Sequence, residues 1–377
     1  MANRAFVYAI QPNIEQSIQC QKTFGSCRFV YNQMLDVQRQ RYQNGEKYLS
    51  KFNANAYCNH ELKNKFPFLK EIDKFALTNA IFHLADGYDR FFKRLGGFPK
   101  YKSKHKSRKS YTTNFTNNNI EIGDRYIKLP KLGKVKAIIH RKAPSDWGIQ
   151  SATVSQNRDG SYQVSVLYEY EQVSVSVAVK EGLTLGLDYA SNGLYVDHNG
   201  NRCNMPHFFR NSADQLAKRQ KKLKHKVISS DNYKKQQKRI AKIHRHIANQ
   251  RKDFLHKKST EIANQYSCVC VEDLNMRAMA NKGFGNGKAT LDNGYGMFVN
   301  MLDYKLTERG GCLVKVDKWF PSSQICHLCG EKSSITKDLS IREWTCPHCG
   351  TILDRDQNAA QNIKICLLYT SDAADEL

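Results

Sequence analysis

The sequence predicts an α+β protein of more than one domain, and three observations carry that expectation. Short apolar segments with strand-like alternation cluster between residues 119 and 170, two stretches of helical period precede them, and beyond residue 183 isolated apolar runs end in acidic residues. A chain of 377 residues, 40% of them hydrophobic, can bury two or three cores.

The opening run Phe6-Val7-Tyr8-Ala9-Ile10 reads as a strand ended by Gln11-Pro12-Asn13. From 15 to about 42 the spacing is helical, with Phe24, Phe29, Val30, Met34 and Leu35 near one face. A second helix is expected over about 74–95, stopped by Gly96-Gly97-Phe98-Pro99. The basic run from Lys100 to Lys109 follows. Residues 120–122, 126–129, 135–139 and 162–166 then read as strands, with turn signals at Asp124-Arg125 and Asp159-Gly160. They suggest a small β-barrel that the opening strand joins, with the helices inserted between. Farther on, Thr184-Leu185-Gly186-Leu187 ends in Asp188, and Gly193-Leu194-Tyr195-Val196 runs to an Asn199-Gly200 hairpin turn. Residues from about 212 to 266 read as long, helical and basic: between Gln215 and Lys258 there are 16 Lys/Arg and only Asp231 and Asp253 as acids. Cys268-Val269-Cys270-Val271 is a short buried strand running into Glu272-Asp273.

Charge narrows the partners. Lys and Arg total 59 against 35 Asp and Glu, a formal +24, which repels itself unless a polyanion neutralises it. Nucleic acid is the expected polyanion. A membrane-surface role is disfavoured, since no amphipathic anchor or lipidation signal is evident and no apolar run approaches the ~18 residues of a membrane span. The N-terminus lacks the apolar core of a signal peptide, so the 12 cysteines are read as belonging to a reducing cytoplasm, not to a disulfide scaffold.

Four of those cysteines carry a specific chemistry. Cys326-His327-Leu328-Cys329 and Cys346-Pro347-His348-Cys349 are separated by 16 residues, the spacing of a four-cysteine zinc ribbon, and Gly330 and Gly350 follow the two knuckles. Four thiolates complete a tetrahedron, which makes one structural Zn²⁺ the expectation. Three carboxylates form the second set. Asp188 and Glu272 each end an apolar strand, and Asp356 lies where a last helix begins, positions that are costly to bury unless a cation compensates. Meeting over one sheet, they would hold two divalent ions, for which Mg²⁺ is suited, and hydrolyse a phosphodiester. Each acid alone has a plain alternative: Asp188 as a turn residue, Glu272 and Asp273 as solvated loop acids, Asp354 as a helix N-cap.

The motifs Gly186-Leu187-Asp188-Tyr189, Val271-Glu272-Asp273-Leu274, Cys326 to Cys349, and Asp354-Arg355-Asp356-Gln357-Asn358-Ala359-Ala360-Gln361-Asn362-Ile363 closely resemble those of the TnpB (OrfB) family, insertion-sequence nucleases related to type V CRISPR effectors. The resemblance extends upstream to Cys27-Arg28-Phe29-Val30-Tyr31-Asn32, Gly97-Phe98-Pro99-Lys100-Tyr101-Lys102 and Arg251-Lys252-Asp253-Phe254-Leu255-His256, and so covers nearly the whole chain. It implies a β-barrel (wedge) domain over 1–182 with a helical recognition domain inserted at about 14–110. A RuvC-like nuclease domain of RNase H fold over 183–366 would follow, interrupted by the zinc ribbon at about 320–352. It further implies an RNA-guided, Mg²⁺-dependent DNA endonuclease, cutting beside a short flanking motif with a guide RNA from the transposon end. Asp188, Glu272 and Asp356 would be its catalytic triad; the second aspartate of Asp354-Arg355-Asp356 is chosen, with Arg355 placing the scissile phosphate. Lys100, Lys102 and Lys104, and Arg251 and Lys252 of the basic helices, are candidate contacts to guide RNA or to double- and single-stranded DNA. A monomer bound to RNA in a prokaryotic cytoplasm, at the nucleoid, is expected. One departure is Tyr189-Ala190-Ser191-Asn192, where many relatives have Gly soon after the Asp, which leaves that loop's geometry open. Residues 367–377 break the basic composition and are expected to be adapter-derived, with a natural acidic tail as the alternative. Two other functions compete: a catalytically silent RNA-guided DNA-binding regulator, disfavoured by the presence of all three acids, and an RNase H-type DNA transposase.

Overall fold

The computed structural model describes residues 1–171, 181–281, 287–338 and 340–375, with the backbone alone at 181 and 367–375. The chain divides into two compact units, Met1–Gln172 and Val173–Leu377.

In the first unit β1 (Ala2–Gln11) starts at the centre of a sheet. Its odd-even pattern is literal: Phe6, Tyr8 and Ile10 are buried and their neighbours are not. Asn13 then caps α1 (Ile14–Gln43), its Oδ1 accepting from Gln16 N at 2.8 Å while Gln16 Oε1 accepts from Asn13 N at 3.0 Å. Gln16 Nε2 also reaches the Leu132 and Lys134 carbonyls at 3.0 Å each, tying the start of the helix to a strand turn. After short helical turns, Asp73 caps α2 (Lys74–Phe92), which buries Leu77, Ala80, Ile81 and Leu84. The remaining strands are β2 (Lys109–Asn114), β3 (Glu121–Ile122), β4 (Tyr126–Leu129), β5 (Gly133–Ile138), β6 (Gly148–Gln156) and β7 (Tyr162–Tyr170). They pair in the order β2-β6-β7-β1-β5-β4-β3, every pairing antiparallel.

The expected closed barrel is corrected here: the seven-stranded sheet is open, with β2 and β3 at its edges. Its apolar face is covered by α1 and α2 at the β2 side, where Phe24 of α1 meets Tyr111 of β2 with ring centroids 5.8 Å apart. Helices therefore supply the burial that rolling the sheet shut would otherwise provide.

The second unit is built on β8 (Thr184–Tyr189), β9 (Tyr195–Asp197), β10 (Arg202–Cys203), β11 (Cys268–Glu272) and β12 (Cys312–Val316), in the order β10-β9-β8-β11-β12. β8, β11 and β12 run parallel, while β9 and β10 are antiparallel. The central strands Thr184-Leu185-Gly186-Leu187 and Cys268-Val269-Cys270-Val271 are buried at every position, as a sheet covered on both faces requires. One face takes α4 (Asp231–Gln265) and α5 (Tyr295–Thr307), the other α6 (Arg355–Asp375). The long basic helical stretch consists of two helices, α3 (Ala213–Lys224) and α4, separated where Ser229 adopts φ 69° and Ser230 accepts from Tyr233 N. β13 (Glu343–Thr345) and β14 (Ile352–Asp354) form a separate hairpin beside the cysteines. α6 continues into the segment expected to be adapter-derived, whose side chains lie outside the described residues. No described helix is long and apolar enough to cross a membrane.

Candidate functional site

Strand parity aims the acids. Leu185 and Leu187 on β8, like Val269 and Val271 on β11, enter the core shared with α4 and α5. The alternate residues Cys268 and Cys270 join the core that contains Ile363 of α6. Gly186 lies directly under α6: a Cβ there would fall 2.2 Å from the Ala360 carbonyl oxygen. Side chains alternate with period two, so Asp188 and Glu272 also fall on the α6 side. In register, Val271 faces Leu187, and the two acids follow one step later at the C-terminal ends of adjacent parallel strands, the edge where open α/β sheets hold their ligands.

α6 begins over this edge, and Asp354 just ahead of it and Asp356 in its first turn divide the work. Asp354 Oδ1 accepts from Gln357 N at 2.8 Å and so caps the helix, while its Oδ2 accepts from Arg202 Nη2 at 2.8 Å. Asp356 is only 7% exposed. Its Oδ2 accepts from Arg202 Nη1 at 2.9 Å, and its Oδ1 faces Arg342 Nη1 at 3.4 Å and Arg355 Nε at 3.6 Å. Desolvation holds the Asp188 carboxyl well above the usual carboxylate range, and the charges of Glu272 and Asp356 add to it against the pull of Arg355. Burial raises Glu272 too, opposed by a hydrogen bond from Ser322 Oγ to Glu272 Oε1 at 2.6 Å. Tyr295 Oη is buried with no protein hydrogen-bond partner, its pKa raised by desolvation and then by Asp188 and Glu272. Three crowded, partly desolvated carboxylates and an orphaned hydroxyl suit a hard divalent cation with its waters. The acids share one edge and one face without closing further: among the described residues, the cysteine set alone brings three or more His, Cys, Asp or Glu ligand atoms within 4.8 Å of one another.

That set is Cys326, Cys329, Cys346 and Cys349. Cys326 Sγ lies 3.7 Å from Cys349 Sγ, and Cys329 Sγ 3.6 Å from Cys346 Sγ. Zn–S bonds of about 2.3 Å in a tetrahedron demand sulfur separations of about 3.8 Å, so the cluster is compatible with a structural zinc site. The two knuckles are near copies. Gly330 N donates to the Cys326 carbonyl and Gly350 N to the Cys346 carbonyl, each at 2.9 Å, with both glycines at positive φ. Trp344, Leu353 and two of the cysteines make the ribbon's own small core.

The basic candidates are placed unevenly. In the first unit Lys102 N donates to Asn32 Oδ1 at 2.8 Å and Asn32 Nδ2 to the Lys102 carbonyl at 3.0 Å, fastening the strap after Pro99 to α1. Lys102 Nζ sits 3.8 Å from the Tyr31 ring centroid, and burial lowers its pKa. Lys100 and Lys104 stay exposed, so the alternating lysines do not share one face. A cleft of about 320 Å³ beside the strap is lined by Arg28, Lys102, Lys104, Arg108, Lys109 and Tyr111, among others. In the second unit Lys252 is exposed, whereas Arg251 turns inward to the fully buried Asp292, 3.2 Å away, which also accepts from the Phe209 and Arg210 amides. Ser322, Arg202, Arg342 and Tyr295 were not legible as site residues. The one available signal is the i, i+4 pair Asn358 and Asn362, two amides on one face of the last helix.

Family models match three stretches: a helix-turn-helix domain of the OrfB/IS605 proteins over residues 1–47, their probable transposase domain over 165–283, and a Cas12f1-like TNB domain over 295–363. A Streptomyces pristinaespiralis protein, named as a proposed RNA-guided DNA endonuclease, is 32% identical over 99% of this chain and 91% of its own length. The chain belongs to the TnpB (OrfB) family. Its Escherichia coli K12 relative InsQ, named in the same way, is 28% identical over 96% of this chain and 91% of its own. The fold is also that of Cas12f1, solved with sgRNA and target DNA: TM-score 0.59 at 14% identity, covering 93% of this chain and 82% of that one. The mini RNA-guided endonuclease Cas_phi3 matches with TM-score 0.55 at 9% identity, covering 96% and 92%. Within this family member the helix-turn-helix match falls on strand β1 and one unbroken 30-residue helix, α1.

Proposed function

We propose that the protein is an RNA-guided DNA endonuclease that cuts by two-metal phosphodiester hydrolysis beside a short flanking motif. The observation that carries the reading is the convergence of Asp188 and Glu272, at the ends of adjacent parallel strands, with Asp356 at the start of the helix packed on the same face. Numbered within the unit, the strand order is 3-2-1-4-5, with the first three strands antiparallel. This supports a RuvC-like, RNase H-type domain over 183–366 with the zinc ribbon at about 320–352. The open sheet and inserted helices of 1–182 take the wedge and recognition roles.

Asp188, Glu272 and Asp356 would hold Mg²⁺, which when bound supplies water activation and stabilisation of the leaving oxygen. The chain's own groups do the rest. Arg202 and Arg342 balance Asp356 and set positive charge where a scissile phosphate would lie. Tyr295 Oη offers an unspent donor beside Asp188 and Glu272. The exposed lysines of α3 and α4, and the cleft at Arg28 and Lys104, face backbone phosphates of guide and target, with sequence read by base pairing. A prokaryotic cytoplasm is the setting this chemistry implies.

The test is cleavage of a plasmid library carrying randomised sequence beside a fixed target, with a guide built from the protein's own transposon end. Cutting confined to a few flanking sequences and lost in Asp188→Ala, Glu272→Ala and Asp356→Ala is the expected result. Cutting that survives Asp188→Ala overturns the site. Guide and target binding without any cutting by the unaltered chain would leave a regulator instead.

A further inference from the structure

The zinc ribbon and the acidic site are joined by side chains, and the joint ends on a carboxylate. Ser322 is 4% exposed and follows Pro321 in the loop leading to the first knuckle. Its hydroxyl donates to Glu272 Oε1 at 2.6 Å. Its backbone is held from both sides: Ser322 N donates to the Phe320 carbonyl at 2.8 Å, and the Ser322 carbonyl accepts from Asn362 Nδ2 at 2.8 Å. Asn362 Nδ2 also donates to the Ile325 carbonyl at 2.6 Å, one residue before the first zinc-ligand candidate. One turn earlier on α6, Asn358 Nδ2 donates to the same carbonyl at 2.7 Å, and Asn358 Oδ1 accepts from His327 N at 3.0 Å. Asn358 and Asn362 are 1% and 4% exposed, so these bonds form out of competition with water.

We propose that Ser322 is a positioning residue for Glu272, through which the folded ribbon fixes the orientation of this carboxylate. The proposal rests on the reading of Glu272 as a metal-ligating acid. A carboxylate on a strand end has free torsions, and a donor locked on Oε1 restricts them while leaving Oε2 outside that bond for the cation. Hydrogen bonds behind a ligating carboxylate set its direction, and their loss weakens metal affinity or activity about 10–100-fold. Ser322 is positioned to do this because every bond that holds it comes from the ribbon loop or from α6, the helix that also carries Asp356.

The experiment titrates Mn²⁺ alone into the full chain, by calorimetry and electron paramagnetic resonance, for the unaltered protein and for Ser322→Ala, Ser322→Thr and Glu272→Ala. Zinc content and thermal melting are measured alongside. Ser322→Ala is expected to weaken Mn²⁺ binding about tenfold with zinc content unchanged, and to raise the Mg²⁺ concentration needed for half-maximal cleavage by a similar factor. Ser322→Thr, which keeps the hydroxyl, should restore both. Should the Ala variant lose zinc or its cooperative melt, Ser322→Cys, near in volume and a weaker donor, takes its place in the comparison. Unchanged Mn²⁺ affinity in Ser322→Ala, while Glu272→Ala loses it, overturns the positioning role and leaves the acidic site standing. Unchanged affinity in Glu272→Ala overturns both.

Discussion

At Asp188 function and stability pull in opposite directions. Its carboxyl is desolvated and faces two other acids, so the folded chain prefers it protonated. A raised folded-state pKa contributes stability that is full below the unfolded value of about 3.9 and is lost as pH rises through the folded value. At neutral pH without divalent ions, the ionised form therefore costs the fold. Asn copies the protonated shape without the charge. Asp188→Asn is expected to melt higher than the unaltered chain at pH 8 in Mg²⁺-free buffer, with the gap narrowing at pH 5.5, and to lose cleavage. Each kcal/mol relieved is worth about 2–4 °C in a unit of this size. Scanning fluorimetry at both pH values decides it: a gap independent of pH would mean that the charge is already compensated. Gly186, two residues earlier, is constrained differently, because α6 passes too close for any side chain.

The first two turns of α6 do three jobs with a few residues: Asp354 caps, Asp356 faces the site, and Asn358 holds the ribbon. Asn358→Ala would leave the Ile325 carbonyl with the Asn362 amide alone and strip His327 N of its acceptor, at a cost of about 1–3 kcal/mol for each buried group left unsatisfied. The ribbon should loosen while the sheet stays intact. Faster zinc loss to a chromogenic chelator, with far-ultraviolet circular dichroism unchanged, is the expected reading; equal zinc loss would show that Asn358 is dispensable to the ribbon. How much of this was legible depends on the element. Asp188 and Glu272 announced themselves because apolar strands run into them, Asp356 because it opens the last helix, and the cysteines because zinc fixes their spacing. β2 and β6 were hidden, since Lys109-Ser110-Tyr111-Thr112-Thr113-Asn114 carries one apolar residue, and its pairing rests on polar partners such as Thr112 and Thr153, whose hydroxyls lie 2.8 Å apart. Ser322 and Arg202 were hidden for another reason: nothing local in a sequence says that residues 50 or 154 positions apart will share a hydrogen bond.

Across the whole molecule the +24 charge sorts into two populations that composition could not separate. One is internal. Lys305 is 7% exposed and donates to the His256 carbonyl, Ser259 Oγ and Thr260 Oγ1 at 2.7 Å each, bracing α5 against α4. Arg251 is likewise committed to buried Asp292. The other is outward: Lys218, Lys221, Lys222 and Lys224 of α3 are all exposed. The two should answer mutation in opposite ways. Removing one phosphate-neutralising cation should flatten the plot of log binding constant against log salt by about 0.7 for a single strand or 0.9 for duplex DNA. Changing the four α3 lysines to Gln is therefore expected to reduce the slope by up to about 3–4 while leaving the melting temperature within about 1 °C. Lys305→Met should do the reverse, lowering the melting temperature by removing three hydrogen bonds donated by a buried ammonium group and leaving the slope alone. Binding isotherms at several salt concentrations, beside thermal melts of both variants, make the comparison. An unchanged slope in the fourfold variant would remove α3 from the nucleic-acid surface and shift that role to the cleft at Arg28 and Lys104.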